Sequence, residues 1–179
     1  MELSAFINTG IKAIQRGAVD RKSPYRLPVL SNTFKNKVFQ RIVVARAFDE
    51  KNMQLTIFTD HASKKYKQLQ ADPQCALLFW DARKKMQIQV NGKANFVDEI
   101  DSYWDKLSER QKKEYSINPI PGTKITSAQG YNYESLDERF AVLVIQFLNL
   151  EILELSSEGH KRATCLLGNA RREEYWMSP

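Results

Sequence analysis

The chain contains almost none of the residues from which metal and disulfide sites are built. Of 179 residues, two are cysteine and two are histidine. Cys75 and Cys165 lie far apart, and His61 and His160 fall at no zinc-ligand spacing with them. A disulfide scaffold and a structural zinc site are therefore not expected, and a reducing compartment suits two isolated thiols. Glycine (seven) and proline (six) are few and scattered, which leaves no low-complexity linker, and no internal repeat is visible. Long apolar runs are missing as well. Phe140 to Ile145 is a typical one, far below the roughly 20 residues of a membrane span, and no apolar leader core stands at the N-terminus. A soluble, cytoplasmic protein with no membrane partner is expected.

What is present bounds the answer further. A chain of this length with 42% hydrophobic and 27% charged residues can bury one substantial core, so a single domain over residues 1–179 is expected. The net charge is +6, and +5 of it falls within the first forty residues, where seven lysines and arginines oppose Glu2 and Asp20. No nucleic-acid motif or aromatic-basic stacking face accompanies this charge. Nucleic acid is thus an unlikely partner, and a small anionic ligand explains the excess as well.

In order, Ile7, Ile11, Ile14 and Ala18 recur at helical spacing, predicting an N-terminal helix over about 4–18 with Ser4 as its cap. Strands are expected over 26–32, 38–48 and 55–59, and a short helix over 63–70 that ends at Asp72-Pro73. Another strand follows over 75–80. From Met86 to Val90 apolar residues alternate with Gln87 and Gln89, Asn91-Gly92 allows a bulge, and the strand resumes over 93–97. A charged helix is expected over 98–113. Strands over 140–145, 150–155 and 162–167 complete a mainly β chain, a barrel or sandwich with few helices.

The stretch from Arg41 to Lys65 concentrates the chemistry. Arg41 begins an apolar β-prone run, and a second run ending at Thr59 delivers Ser63, Lys64 and Lys65. One hydroxyl and three cations at neighbouring strand ends can neutralise a phosphate dianion. The same Ser63-Lys64-Lys65 also reads as a solvated helix start capped by Ser63. Both readings stand at this point.

With these residues in place, the chain resembles the pyridoxamine 5′-phosphate oxidase-like flavoproteins, which share an FMN-binding split β-barrel. The family's Arg with a cation five positions later stands as Arg41-Ile42-Val43-Val44-Ala45-Arg46. Its aromatic-Thr and Ser-basic-Lys patterns stand as Phe58-Thr59 and Ser63-Lys64-Lys65, and its Gln-apolar strand as Gln87-Ile88-Gln89-Val90-Asn91-Gly92. Between them lies Asp72-Pro73-Gln74-Cys75-Ala76-Leu77-Leu78-Phe79-Trp80. The resemblance implies that Arg41, Ile42, Val43 and Val44 line FMN, that Phe58 and Thr59 flank it, and that Ser63, Lys64 and Lys65 hold its phosphate. Gln87, Gln129 and Arg162 would join them, the last from a His160-Lys161-Arg162 motif that reads equally as a surface turn. Arg46, Tyr103 and His160 would face a small-molecule substrate.

The resemblance also implies a homodimer sharing FMN at its interface, for which Trp104, Phe147, Tyr175 and Trp176 are candidates. No general base or covalent nucleophile stands out, as expected where a cofactor carries the chemistry. Two departures touch the substrate side. Leu107 stands where the family places an arginine, and Glu158 where it places a cation. An FMN-dependent oxidoreductase of unidentified substrate is expected. A flavin- or haem-binding carrier or sensor on the same barrel is the alternative.

Overall fold

In the computed structural model, residues 2–134, 139–168 and 172–179 are described. Helix α1 (Leu3–Val19) buries Phe6, Ile7, Ile11 and Ile14 on one stripe, the pattern that its apolar spacing dictates. It starts one turn position earlier than expected. Glu2, not Ser4, occupies the cap, and the Ser4 hydroxyl instead donates to Glu174 at 2.6 Å. The helix lies close on the sheet at Gly10, where an added Cβ would lie 2.3 Å from Ile152 Cδ1 and would have to displace that side chain.

Strands β1 (Val29–Phe34) and β2 (Lys37–Ile42) form a hairpin whose turn residues Lys35 and Asn36 both have positive φ, the backbone that a two-residue hairpin needs. β1 begins later than expected, since Pro24–Arg26 is a turn of 3-10 helix with Ser23 accepting from the Tyr25 N–H. The strand expected over 38–48 is likewise two pieces. β2 stops at Ile42 and β3 (Ala47–Asp49) begins after a crossing segment. Val43 and Ala45 donate to Pro28 and Arg26 carbonyls, whereas Arg46 donates to Thr56. The segment thus passes from one partner strand to another, which one continuous strand cannot do.

Next come β4 (Gln54–Asp60), helix α2 (Lys64–Ala71), β5 (Gln74–Asp81) and β6 (Met86–Val97). All four agree with the expected spans to within a residue or two. The charged helix expected over 98–113 is two short helices, α3 (Asp101–Trp104) and α4 (Glu109–Lys113). Ser108 is the reason. Its side chain accepts from Gln111 N–H while Gln111 returns the bond to Ser108, and this capping box starts a new helix. After the short bridge β7 (Ile117–Asn118) to β8 (Asn132–Tyr133) come β9 (Phe140–Glu154), β10 (Lys161–Leu167) and β11 (Arg172–Met177). No strand was expected at β11.

β9 is the spine of the fold. One of its edges pairs with β6 along most of its length, while the other pairs first with β4 and then with β10. The change of partner coincides with a register shift at Asn91/Gly92, which leaves Leu148 as the extra residue of a bulge. That bulge is why the sequence reads as two strands there. The sheet order β11-β10-β9-β6-β5-β1-β2, with β3 and β4 branching from β9, makes an antiparallel split barrel. Its core contains Leu55, Ile57, Leu77, Phe79, Ile88 and Ile145, sealed at one end by α1. A second cluster, Leu107, Tyr115, Phe140 and Val142, lies under α3 and α4.

Candidate functional site

The end of β2 and the start of α2 bring two of the expected phosphate ligands together. Arg41 points to the core side of the sheet, in a row with Leu30, Leu77 and Val90. Its guanidinium donates to Asn32 Oδ1, and to Gln68 Oε1 of α2 at 2.9 Å. Lys65, on the first turn of α2, is half-buried beside it. Burial and then the Arg41 charge push the Lys65 ammonium down to about 8, with Asp60 a smaller opposing influence. Two cations held together at the cost of desolvation form a grip that an anion relieves.

Ser63 accepts from the Tyr66 N–H at 3.3 Å as the cap of α2, and its hydroxyl lies 3.3 Å from that of Thr59. The helix-start reading of Ser63-Lys64-Lys65 therefore holds, and the cap is what presents Lys65. Lys64 is exposed, its stem against the loop at Gly122. Asp60 Oδ1 accepts from the Ala62 N–H at 2.7 Å, and its other oxygen faces Arg139 at 3.5 Å, with Asp60 buried and Arg139 mostly so. Arg139 also donates to the Tyr115 and Ile117 carbonyls. The turn that aims α2 is thereby tied to the segment beneath the second core cluster.

Phe58 collects three expected residues into one group. The Arg46 guanidinium lies over its ring at 5.1 Å, and Tyr103 meets it edge-on at 5.9 Å. Val43 is buried, Val44 half-buried and Ile42 exposed.

Gln87 and Arg162 lie elsewhere, on the outward face. Trp80, Gln87, Leu153 and Arg162 stand opposite one another across β5, β6, β9 and β10. Because Gln87 is three residues from Val90, this row faces away from the one that holds Arg41. Arg162 pairs with Glu151 at 2.8 Å, and its Nε is buried without a hydrogen-bond partner among the described residues. His160 sits in an exposed turn, where its Nδ1 accepts from the Ser156 N–H at 3.1 Å. Gln129 is exposed in the stretch between β7 and β8. The structure does not bring Gln87, Gln129, His160 or Arg162 to the Arg41 grip within one chain.

Sequence reasoning missed one feature beside Arg46. A cleft of about 420 Å³ is lined by Arg21, Arg26, Arg46, Arg110, Glu114 and Val44, among others. The concentration of cations in the first forty residues was its only trace in the sequence.

The family model for pyridoxamine 5′-phosphate oxidase matches residues 39–152. The chain belongs to that family. A pyridoxine/pyridoxamine 5′-phosphate oxidase of Trichormus variabilis is 29% identical over 85 residues, 48% of this chain and 39% of that enzyme. The match thus spans well under half of the relative's length. Among solved structures, an FMN-binding protein related to pyridoxamine 5′-phosphate oxidase from Nostoc punctiforme superposes with a TM-score of 0.79 at 20% identity, covering 100% of both chains. PhzG of Burkholderia lata, solved with tetrahydrophenazine-1-carboxylic acid, gives a TM-score of 0.75 at 16% identity, covering 99% of this chain and 90% of that one. At these identities the two structures speak for the fold, the split barrel of this family.

Proposed function

We propose that this chain binds FMN and, as a homodimer, acts as an FMN-dependent oxidoreductase on a small molecule. The observation that carries the reading is the Arg41–Lys65 grip, in which a half-buried amine with a lowered pKa stands beside a guanidinium on a chain of this family. A phosphate dianion fits that pair. Phe58 and Thr59 lie just upstream on β4, and Val43 and Val44 lie just past β2, so apolar walls adjoin the grip. Bound there, FMN would supply the redox chemistry, and the protein would supply binding and orientation.

The division of the expected ligands between two faces favours the dimer. Arg41 looks toward the core side, whereas Gln87 and Arg162 look outward with Trp80. A second copy can bring its outward row to the first copy's grip. The outward face is suited to contact, because Val38, Ile42, Leu78 and Trp80 are 68%, 65%, 38% and 46% exposed. Of the side chains first considered for an interface, two are core and two stay open to a partner. Phe147 is core against Phe48, Trp104 packs on Phe140, and Trp176 lies against Phe6 while remaining partly exposed, as Tyr175 does.

No described helix is long and apolar enough to cross a membrane. We place the protein in the cytoplasm on its two buried, unpaired thiols. A carrier or sensor without turnover is the second reading. It is favoured by Leu107, which is buried in the second core cluster, and by Glu158, which is exposed in a turn, so neither can anchor a substrate phosphate.

The deciding experiment is fluorescence titration of flavin-free protein with FMN, followed by an absorbance spectrum. Saturation at one FMN per chain is expected, and failure to bind at micromolar concentration overturns the assignment. A haem absorption band on reconstitution would favour the carrier. Pyridoxamine 5′-phosphate, followed by peroxide release, is expected to be a poor substrate. Two missing charge-assisted anchors at about 1.5–3 kcal/mol each amount to a hundredfold or greater loss in efficiency.

A further inference from the structure

The Lys65 ammonium has a carboxylate within reach of its field and yet does not pair with it. No ion pair joins Lys65 to an acidic side chain among the described residues. The charged groups that face it are Arg41 from β2 and, with a smaller influence, Asp60 from the end of β4, while Lys64 on its own helix is exposed. Opposite charges in a poorly solvated site attract strongly, so the open question is what keeps Asp60 from Lys65. Both oxygens of Asp60 are engaged elsewhere. Oδ1 accepts from the Ala62 N–H, a turn that leads into the Ser63 cap of α2. Oδ2 faces Arg139 Nε at 3.5 Å, a contact of charges without a hydrogen bond. Arg139 is itself fixed, since its guanidinium donates to the Tyr115 and Ile117 carbonyls and its own carbonyl accepts from the His61 N–H at 2.9 Å.

We propose that Asp60 and Arg139 are positioning residues of the anion site: Arg139 holds the Asp60 carboxylate away from Lys65, so that the Arg41–Lys65 grip stays unpaired and open to a phosphate. The inference rests on the flavin reading for the identity of the anion, and on the geometry of the pair for the rest. Two opposite consequences follow from the charges. Asparagine at position 60 keeps the acceptor for the Ala62 N–H but removes the negative charge, which leaves Lys65 facing Arg41 alone. The amine, which titrates at about 8 in the native fold, should then lose its proton at lower pH. Glutamine at position 139 instead releases the carboxylate to Lys65. The amine should then keep its proton to higher pH, and the grip is neutralised from within the protein. A pair that served stability alone would not move the Lys65 titration in opposite directions.

The test is competitive labelling of the flavin-free protein with acetic anhydride across a pH series, read at Lys65 by mass spectrometry with the exposed Lys64 as reference. The Lys65 titration is expected to move down in Asp60→Asn and up in Arg139→Gln, and to stay near its native position in Arg139→Lys, which keeps a cation opposite Asp60. FMN titration of the same proteins at neutral pH reads the consequence for binding. Arg139→Gln should weaken FMN about tenfold or more while sparing riboflavin, and Arg139→Lys should recover part of the loss. Shifts of one sign in Asp60→Asn and Arg139→Gln, or no shift in either, overturn the proposal, and so does equal weakening of the two flavins. Should Arg139→Gln not fold, a downward shift in Asp60→Asn beside an unmoved Arg139→Lys supports the pair, and an unmoved Asp60→Asn overturns it. Labelling needs no flavin, so a protein that shows the opposite shifts but takes up no FMN refutes the flavin reading and not the restraint of Asp60 by Arg139.

Discussion

At the residue scale, Lys65 is the most informative side chain. Its amine titrates near 8 in the ligand-free fold, so below that pH it is charged and ready to meet an anion. A bound phosphate would raise its pKa again. Above about pH 8, binding must therefore take up a proton, and affinity should fall as pH rises, approaching tenfold per unit. FMN affinity is expected to drop by about tenfold or more between about pH 7.5 and about pH 9.5, and the drop should shrink in Lys65→Ala. Titration at the two pH values checks this. Lys65→Ala should also weaken FMN by about ten- to a hundredfold while sparing riboflavin, which lacks the phosphate. Equal weakening of both flavins would assign Lys65 to stability instead.

At the element scale, the bulge between β6 and β9 decides the architecture. A Cβ on Gly92 would lie 2.6 Å from the Gln146 carbonyl oxygen and 2.9 Å from Ile145 Cγ2. Backbone cannot give way as a side-chain tip can. Gly92→Ala is expected to cost about 1–3 kcal/mol, read as a lower urea midpoint with an unchanged slope. The bulge is also where β9 leaves β4 for β10, so the damage should spread to both halves of the barrel. At α4 the Ser108–Gln111 capping box sets the helix that carries Arg110. Its position was not expected from the periodicity, because a helical stripe through Tyr103 and Leu107 conceals the restart.

At the scale of the whole molecule, the outward face of β2, β5 and β6 should be buried in a dimer. Trp80→Lys and Ile42→Lys place a charge in an apolar patch, and each is expected to shift sedimentation velocity from dimer toward monomer. FMN affinity should fall in the same variants, since the outward row of the partner would be lost. A monomeric variant with unaltered FMN affinity would show that one chain completes the site.

The sequence by itself determined most of the strand spans and the start of α2, because these are local properties, while β11 and the break between β2 and β3 lay outside it. Alternation from Met86 to Val90 and the Ser63 cap each depend on residues only a few positions apart, whereas Arg41 reaches Lys65 only because β2 packs beside α2. Tertiary structure alone decided the partners. That Arg46 lies over Phe58 beside Tyr103, and that Arg21, Arg26 and Arg110 gather around it, depends on five separate segments meeting. Which face of the sheet Gln87 shares with Arg162 depends on strand register across β9. Spacing along a chain holds no record of register between strands, since a slip by one residue turns every side chain to the other face.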